Sequence, residues 1–290
     1  MRGINTIEQL ADVKAVVAAV VKREGHAVLN ADDPLVYAMR DRTPGDIVLF
    51  SAKPDGESEE FETHLTRNGI GARIENDTFV IRRGRLRIPI APVREVPLML
   101  GGAAKFLREN ILAAIATAYV QGMRYDDIRA GLLSFFPSPS LTPGRLNLLR
   151  VQNGRVLVDY AHNPAAIGGL IEFVQSIDAN KRIGVVTAPG DRRDEDLRNV
   201  GRVVACLDYI VLKEDKERRG RDAGDIAGLI SEGLRDGGME ENRYETIYNE
   251  QEAITHALEQ MKDNDLVVIL ADDVSASLDL VRRYSPDGVR

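Results

Sequence analysis

An aspartate, a histidine and an asparagine fall together in AspTyrAlaHisAsnPro, Asp159 to Pro164, directly after the apolar run ValLeuVal at 156–158. A carboxylate and an imidazole so placed could orient a phosphate, a metal or an attacking amine. A helix starting near Pro164 would also turn backbone N–H donors toward an anion. The same residues suit a plainer role, in which Asp159 and Asn163 only cap that helix. ProGlyArg lies upstream at 143–145, and ProGlyAspArgArgAspGluAsp at 189–196 follows a second apolar run, IleGlyValValThrAla. There Arg192 and Arg193 could clamp a phosphate or carboxylate by forked hydrogen bonds, or form a solvated charge run at a helix start. LysGluAspLysGluArgArgGlyArg at 213–221 follows TyrIleValLeu, and AlaAspAsp at 271–273 ends a fourth run. Ligands of open parallel sheets bind at the carboxyl ends of strands, so this convergence of charge favours a site.

The elements that would hold these residues follow from periodicity. Strands are expected near 155–159, 182–187, 209–212 and 266–270, separated by helical spacing at 165–177, 195–206, 222–235 and 250–262. Strands alternating with helices give a mainly parallel, doubly wound sheet. The first half reads as α/β with a small antiparallel insert. Apolar positions recur at helical spacing from Ile7 to Val21 after Thr6, a capping residue with Glu8 nearby. Strands are expected at 26–29 and 47–50, a hairpin at 79–89 around ArgArgGlyArg, and a helix over 104–121. AsnAlaAspAspPro at 30–34 ends the first strand, as a simple turn would. Residues 134–144 carry three prolines and four Ser or Thr residues, which reads as a linker. The expected domains are therefore 1–138 and 139–290.

The 290 residues hold 44% hydrophobic and 29% charged side chains, as an ordinary globular chain of about two domains does. A net charge of -7 argues against a broad nonspecific nucleic-acid face and suits a small or partly cationic substrate. Cys206 is the only cysteine, so no disulfide forms within the chain; the run ValValAlaCysLeu marks it as a buried core residue. His26, His64 and His256 join no constellation, and metal-ligand spacing of Cys and His is absent. With no signal-peptide core and no membrane-length apolar run, a cytoplasmic protein is expected. No Gly-x-x-x-x-Gly-Lys-Ser/Thr phosphate loop occurs.

Taken together, ProGlyArg at 143–145, AspTyrAlaHisAsnPro at 159–164 and AsnAlaAspAspPro at 30–34 resemble the Mur ligase and folylpolyglutamate synthetase superfamily. Within it, residues 6–17, 188–196, 213–221 and 265–274 are similar to the Mur-ligase-like module of the cyanophycin synthetase family. The resemblance implies a partial central, ATP-binding domain followed by a Rossmann-like C-terminal domain. It implies an amide ligase that activates a carboxylate as an acyl phosphate with ATP and Mg2+, then joins an amino acid, arginine, to an aspartate side chain of a polymer. Asn30 matches an adenine-contacting position and Asn110 the asparagine of the helix after GlyGly at 101–102. Arg145 and Asp159 match positions reaching over the nucleotide; His162 and Asn163 share the motif of Asp159, Asn163 as a further nucleotide-binding candidate and Asp159 and His162 as catalytic candidates. Arg192, Asp194 and Lys216 are candidates for the amino-acid side. In the family the phosphate loop and metal-binding side chains precede the segment matched by Thr6. The expectation is thus a truncated or split ligase, inactive alone, completed by a separate chain or by self-association. The alternative is a noncatalytic nucleotide- or partner-binding module that kept the fold.

Overall fold

A computed structural model describes residue 4 and residues 6–152, 154–214 and 218–285. The chain divides into two compact units, residues 1–136 and 137–290.

Unit 1 begins with α1 (Ile7–Lys14) and α2 (Val16–Ala19). The Thr6 hydroxyl accepts from the Gln9 amide at 3.2 Å, while the Gln9 side chain accepts from the Thr6 amide at 3.3 Å. Gln9, not Glu8, thus completes the capping box. There follow β1 (His26–Asn30), α3 (Pro34–Ala38), β2 (Asp46–Ser51), α4 (Glu59–Thr66), β3 (Ile70–Glu75), β4 (Thr78–Arg83), β5 (Leu86–Pro92), α5 (Arg108–Val120) and α6 (Tyr125–Ser134). The sheet order is β1-β2-β3-β4-β5, parallel through β3 and antiparallel beyond. Adjacent residues of a strand face opposite ways. Accordingly, Val48 packs with Ile111, Leu112 and Ile115 of α5, while Leu49 packs with Phe61 and Leu65 of α4.

Unit 2 contains β6 (Asn147–Val151), β7 (Gly154–Asp159), α7 (Pro164–Ser176), β8 (Arg182–Val186), α8 (Asp194–Val204), β9 (Tyr209–Leu212), α9 (Asp225–Asp236), β10 (Tyr244–Thr246), α10 (Glu250–Gln260), β11 (Asp265–Leu270) and α11 (Val274–Arg282). Its sheet order is β10-β9-β8-β11-β7-β6, and only the β6–β7 pair is antiparallel. β11 is buried along its whole length, as a strand covered on both faces should be. Ile254 and Ala257 of α10 and Leu278 and Val281 of α11 share one core with Val156, Val185 and Val267. α8 and α9 approach closely at two glycines. A Cβ on Gly201 would meet the Ile230 carbonyl at 2.2 Å, and one on Gly233 the Arg198 carbonyl at 2.0 Å.

The mixed α/β class expected from the sequence is present in both units, as two mixed sheets. Cys206 departs from expectation, because it is exposed. The run ValValAlaCysLeu is the end of helix α8 and the following turn. Val204 and Leu207 point inward there and the thiol outward. Among the described residues no helix is long and apolar enough to cross a membrane.

Candidate functional site

ProGlyArg closes a tight turn before β6. Gly144 has φ +68°, and a Cβ there would lie 2.6 Å from Cγ2 of Val274, so glycine is required on both counts. Asp159 fastens the turn to the end of β7: one carboxylate oxygen accepts from the Leu146 amide at 2.8 Å and the other from the Ala161 amide at 2.8 Å. Burial pushes the Asp159 carboxyl up, outweighing those two donors and the nearby charges of Arg145 and His162. With both oxygens engaged by backbone, the geometry gives Asp159 a positioning role.

Around this knot the sequence candidates of the motif come together. The exposed Arg145 places its guanidinium 5.4 Å from the Tyr160 ring centroid, and the Tyr160 and His162 rings lie 5.1 Å apart. His162 Nδ1 is 3.0 Å from the Tyr160 carbonyl. A carbonyl only accepts, so that nitrogen is the donor. Asn163 caps α7, accepting from the Ala166 amide at 2.9 Å, which is the plainer of its two expected roles.

The carboxyl ends of β7, β8, β9, β10 and β11 open on a cavity of about 490 Å³. Tyr160 and His162 line one side, and Glu214, Glu250, Asp272 and Asp273 line others. Beneath its acidic wall lies Lys213, fully buried, with Nζ 3.0 Å from Glu250 Oε1 and 2.6 Å from Asp272 Oδ2. The Glu250 carboxylate also accepts the amides of Asp272 at 2.8 Å and Asp273 at 3.1 Å. This network braces the ends of β9 and β11 against the start of α10. Thr187, at the end of β8, lines the same cavity at 3% exposure, and its hydroxyl oxygen has no protein partner. An orphaned buried hydroxyl in a cavity wall is a place for a ligand or a water to bond. Lys213 and Asp272 fall within the charged runs noted at 213–221 and 271–273, whereas Glu250, at the start of α10, and Thr187 were not singled out from sequence.

Arg192 and Asp194 lie apart from the cavity lining. Their loop is fastened by Arg221, which donates to the carbonyls of Gly190 at 2.8 Å and Arg192 at 2.7 Å and to Asp194 Oδ1 at 2.7 Å. Arg219, at the cavity wall, pairs with Asp191 at 2.7 Å. Burial raises the Asp191 carboxyl, but this guanidinium more than offsets it and holds the group below its ordinary value. Lys216 lies outside the described residues.

In unit 1, Asn30 ends β1 and its Oδ1 accepts from the Asp32 amide at 2.9 Å; its NH2 has no partner among the described residues. Asp32 joins the ends of β1 and β2, accepting from the Ser51 hydroxyl at 2.7 Å and the amides of Ala52 at 2.7 Å and Lys53 at 3.2 Å. Asp33 caps α3 through the amides of Leu35 and Val36. Asn110 is exposed in the first turn of α5. A free amide at a strand end fits an adenine edge. The phosphates and magnesium of ATP fit less well. The sequence holds no phosphate loop, and no group of three or more His, Cys, Asp or Glu among the described residues could hold a metal ion.

Residues 144–272 match the family described as Mur ligase, glutamate ligase domain. The cyanophycin synthetase of Crocosphaera subtropica is 44% identical over 287 residues, covering 98% of this chain and 32% of the relative. That of Synechocystis sp. is 41% identical over 289 residues, with the same shares. Over nearly its whole length the chain is similar to one part of cyanophycin synthetase. It spans about a third of the length of the curated relatives it matches. Solved structures share its fold. A murein peptide ligase from Psychrobacter arcticus superposes with TM-score 0.66 at 14% identity, covering 97% of this chain and 55% of that one. A folylpolyglutamate synthase from Mycobacterium tuberculosis, complexed with ADP and AMPPCP, superposes with TM-score 0.62 at 18% identity, covering 96% and 60%. The fold is that of the Mur ligases.

Proposed function

We propose that this chain belongs to an ATP-dependent amide ligase and that the cavity of unit 2 receives the incoming amine, a cationic amino acid of arginine type. The observation that carries this reading is the acid-lined cavity at the strand ends, with the orphaned Thr187 hydroxyl in its wall. Glu214, Glu250, Asp272 and Asp273 outnumber the cations at its edge, so a guanidinium or ammonium is attracted and an anion repelled. His162, an imidazole in the cavity wall, is the group placed to take a proton from the incoming amine.

ATP, when bound, supplies the phosphoryl group that activates a carboxylate, and Asn30 would meet its adenine. The groups that grip its phosphates and magnesium would come from outside these 290 residues, whether in the same polypeptide or a separate chain. A noncatalytic binding module is the second reading, favoured by the missing phosphate loop.

The test is calorimetric titration with L-arginine and, separately, with uncharged citrulline. Arginine should bind and citrulline should not, and Thr187→Val should weaken arginine by roughly fivefold to thirtyfold, the loss of one hydrogen bond of about 1–2 kcal/mol. Equal binding of both ligands, or an unchanged affinity in the valine variant, rejects the amine-site assignment. Amide formation after addition of the phosphate-loop part would separate the ligase from the binding-module reading.

A further inference from the structure

A second polar surface lies at the opposite edge of the unit 1 sheet, at the amino ends of β1 and β3, away from Asn30, Asp32 and Ser51. The β4–β5 hairpin tip carries Arg83 and Arg85 about Gly84. It borders a hollow of about 640 Å³ with Thr66 and Asn68 at the end of α4. Arg83 also borders an adjoining hollow of about 470 Å³, together with His26, Arg124 and Tyr125. Arg67 flanks the first hollow in sequence.

Arg67, Arg83, Arg85 and Arg124 are all exposed, and none of them forms an ion pair among the described residues. The neighbouring acids are already committed. Glu62 pairs with the buried Arg73, and Glu75 accepts from Arg82 and Arg87, each at 2.7 Å. The tip itself is fixed: the Gly84 amide donates to the Gly69 carbonyl at 3.0 Å. Gly84 has φ +53°, and a Cβ there would meet Asn68 Oδ1 at 2.6 Å. These backbones are therefore set before any ligand arrives, which lowers the ordering cost of binding. On a chain of net charge -7 such a concentration of unneutralised guanidinium is a local exception. Nothing in the nucleotide or amine chemistry uses it.

We infer that this edge binds an extended, carboxylate-rich polypeptide, with Arg83, Arg85 and Arg124 forking onto successive carboxylates. Two hollows joined through Arg83 suit a chain rather than a single ion. Guanidinium forks match carboxylate geometry. A nucleic acid is the poorer fit, because four cations without an ion pair among the described residues fall short of the ~6–10 phosphate contacts of a strongly salt-dependent nucleic-acid binder. The inference stands whether or not the ligase reading does.

The test is fluorescence anisotropy of a labelled oligo-aspartate titrated with the full chain at low salt. Saturable binding is expected, weakened roughly tenfold or more in Arg83→Ala/Arg85→Ala and by a smaller factor in Arg83→Lys/Arg85→Lys, which keeps charge and loses the fork. Arg235→Ala/Arg283→Ala removes the same charge from unit 2 and should leave binding unchanged; these are surface positions, and circular dichroism verifies folding. Equal affinity of wild type and Arg83→Ala/Arg85→Ala overturns the proposal, as does absence of saturation. Equal weakening by the unit 2 pair would mean net charge alone is read, and would also overturn it. Tighter binding of oligo-thymidylate or polyphosphate replaces it with a phosphate-polymer site.

Discussion

Replacing Lys213 with methionine tests whether the braced strand ends of unit 2 depend on one buried charge. Methionine keeps most of the stem volume, so the change is chiefly loss of the ammonium. It leaves Glu250, 8% exposed, and Asp272 without the cation that now lies 3.0 Å and 2.6 Å away. Breaking a buried pair by removing one partner costs ~3–5 kcal/mol. Two features pull the value toward the lower end. Glu250 retains the amides of Asp272 and Asp273, and the Asp272 side chain is 24% exposed and partly rehydrated. A loss of about 3 kcal/mol is therefore expected. For a chain of this size each kcal/mol moves the midpoint by ~2–4 °C, so a fall of roughly 6–12 °C should appear. The assay is thermal unfolding for that shift and urea unfolding for the free energies, both on the full chain by far-ultraviolet circular dichroism, with Asp272→Asn as the second arm of a double-mutant cycle. Asp272→Asn should cost less on the Lys213→Met background than on the wild type, by ~0.5–3 kcal/mol. A single-variant loss below about 1 kcal/mol, with additive effects in the cycle, would refute the reasoning and make the pair ornamental.

Gly144→Ala should destabilise by about 2–4 kcal/mol, from an alanine forced to positive φ and a Cβ driven to 2.6 Å from Val274; adding Val274→Ala should recover only the steric share, as urea midpoints will show. Glu75 is raised by burial but lowered more by Arg82 and Arg87, so its folded carboxyl lies below its ordinary value. Its contribution is therefore present at neutral pH and lost as pH falls through the acid range below that value. Glu75→Gln should flatten this part of the stability profile and cost roughly 1–3 kcal/mol at neutral pH, discounted for the exposure of Arg87; an unchanged acid limb would count against it.

The unit 2 strands and helices were legible because each is a short apolar run or an amphipathic segment bounded by polar turns, and a doubly wound sheet repeats that pattern. β3 was not, because IleGlyAlaArgIleGlu breaks its apolar face with Gly71 and Arg73. Arg73 is nevertheless fully buried, its guanidinium held by Glu62, by Asp55 at 2.9 Å and by the Pro54 carbonyl at 3.2 Å. A residue type that usually signals surface is here neutralised by partners that only the fold supplies. β10, three residues long, is too short to leave a period. β6, AsnLeuLeuArgVal, is an edge strand paired on one side only.

The candidate site was half legible for a related reason. That charge gathers after β8, β9 and β11 could be read from the sequence, but which charges meet depends on strand order. β11, last in the chain, inserts between β7 and β8, so α10 must run back across the sheet in the direction opposite to the crossovers before it. That return delivers Glu250, at the start of α10, to Lys213 at the end of β9 and to Asp272 at the end of β11. The Lys213–Asp272 pair spans 59 positions of sequence, and no local period encodes it. AspTyrAlaHisAsnPro drew notice because its polar residues are contiguous, yet two of them, Asp159 and Asn163, are spent on backbone amides. Contiguity in sequence thus marked the scaffold of the site. Its acidic wall came from residues scattered over three strand ends, Glu214 after β9, Glu250 after β10 and Asp272 with Asp273 after β11.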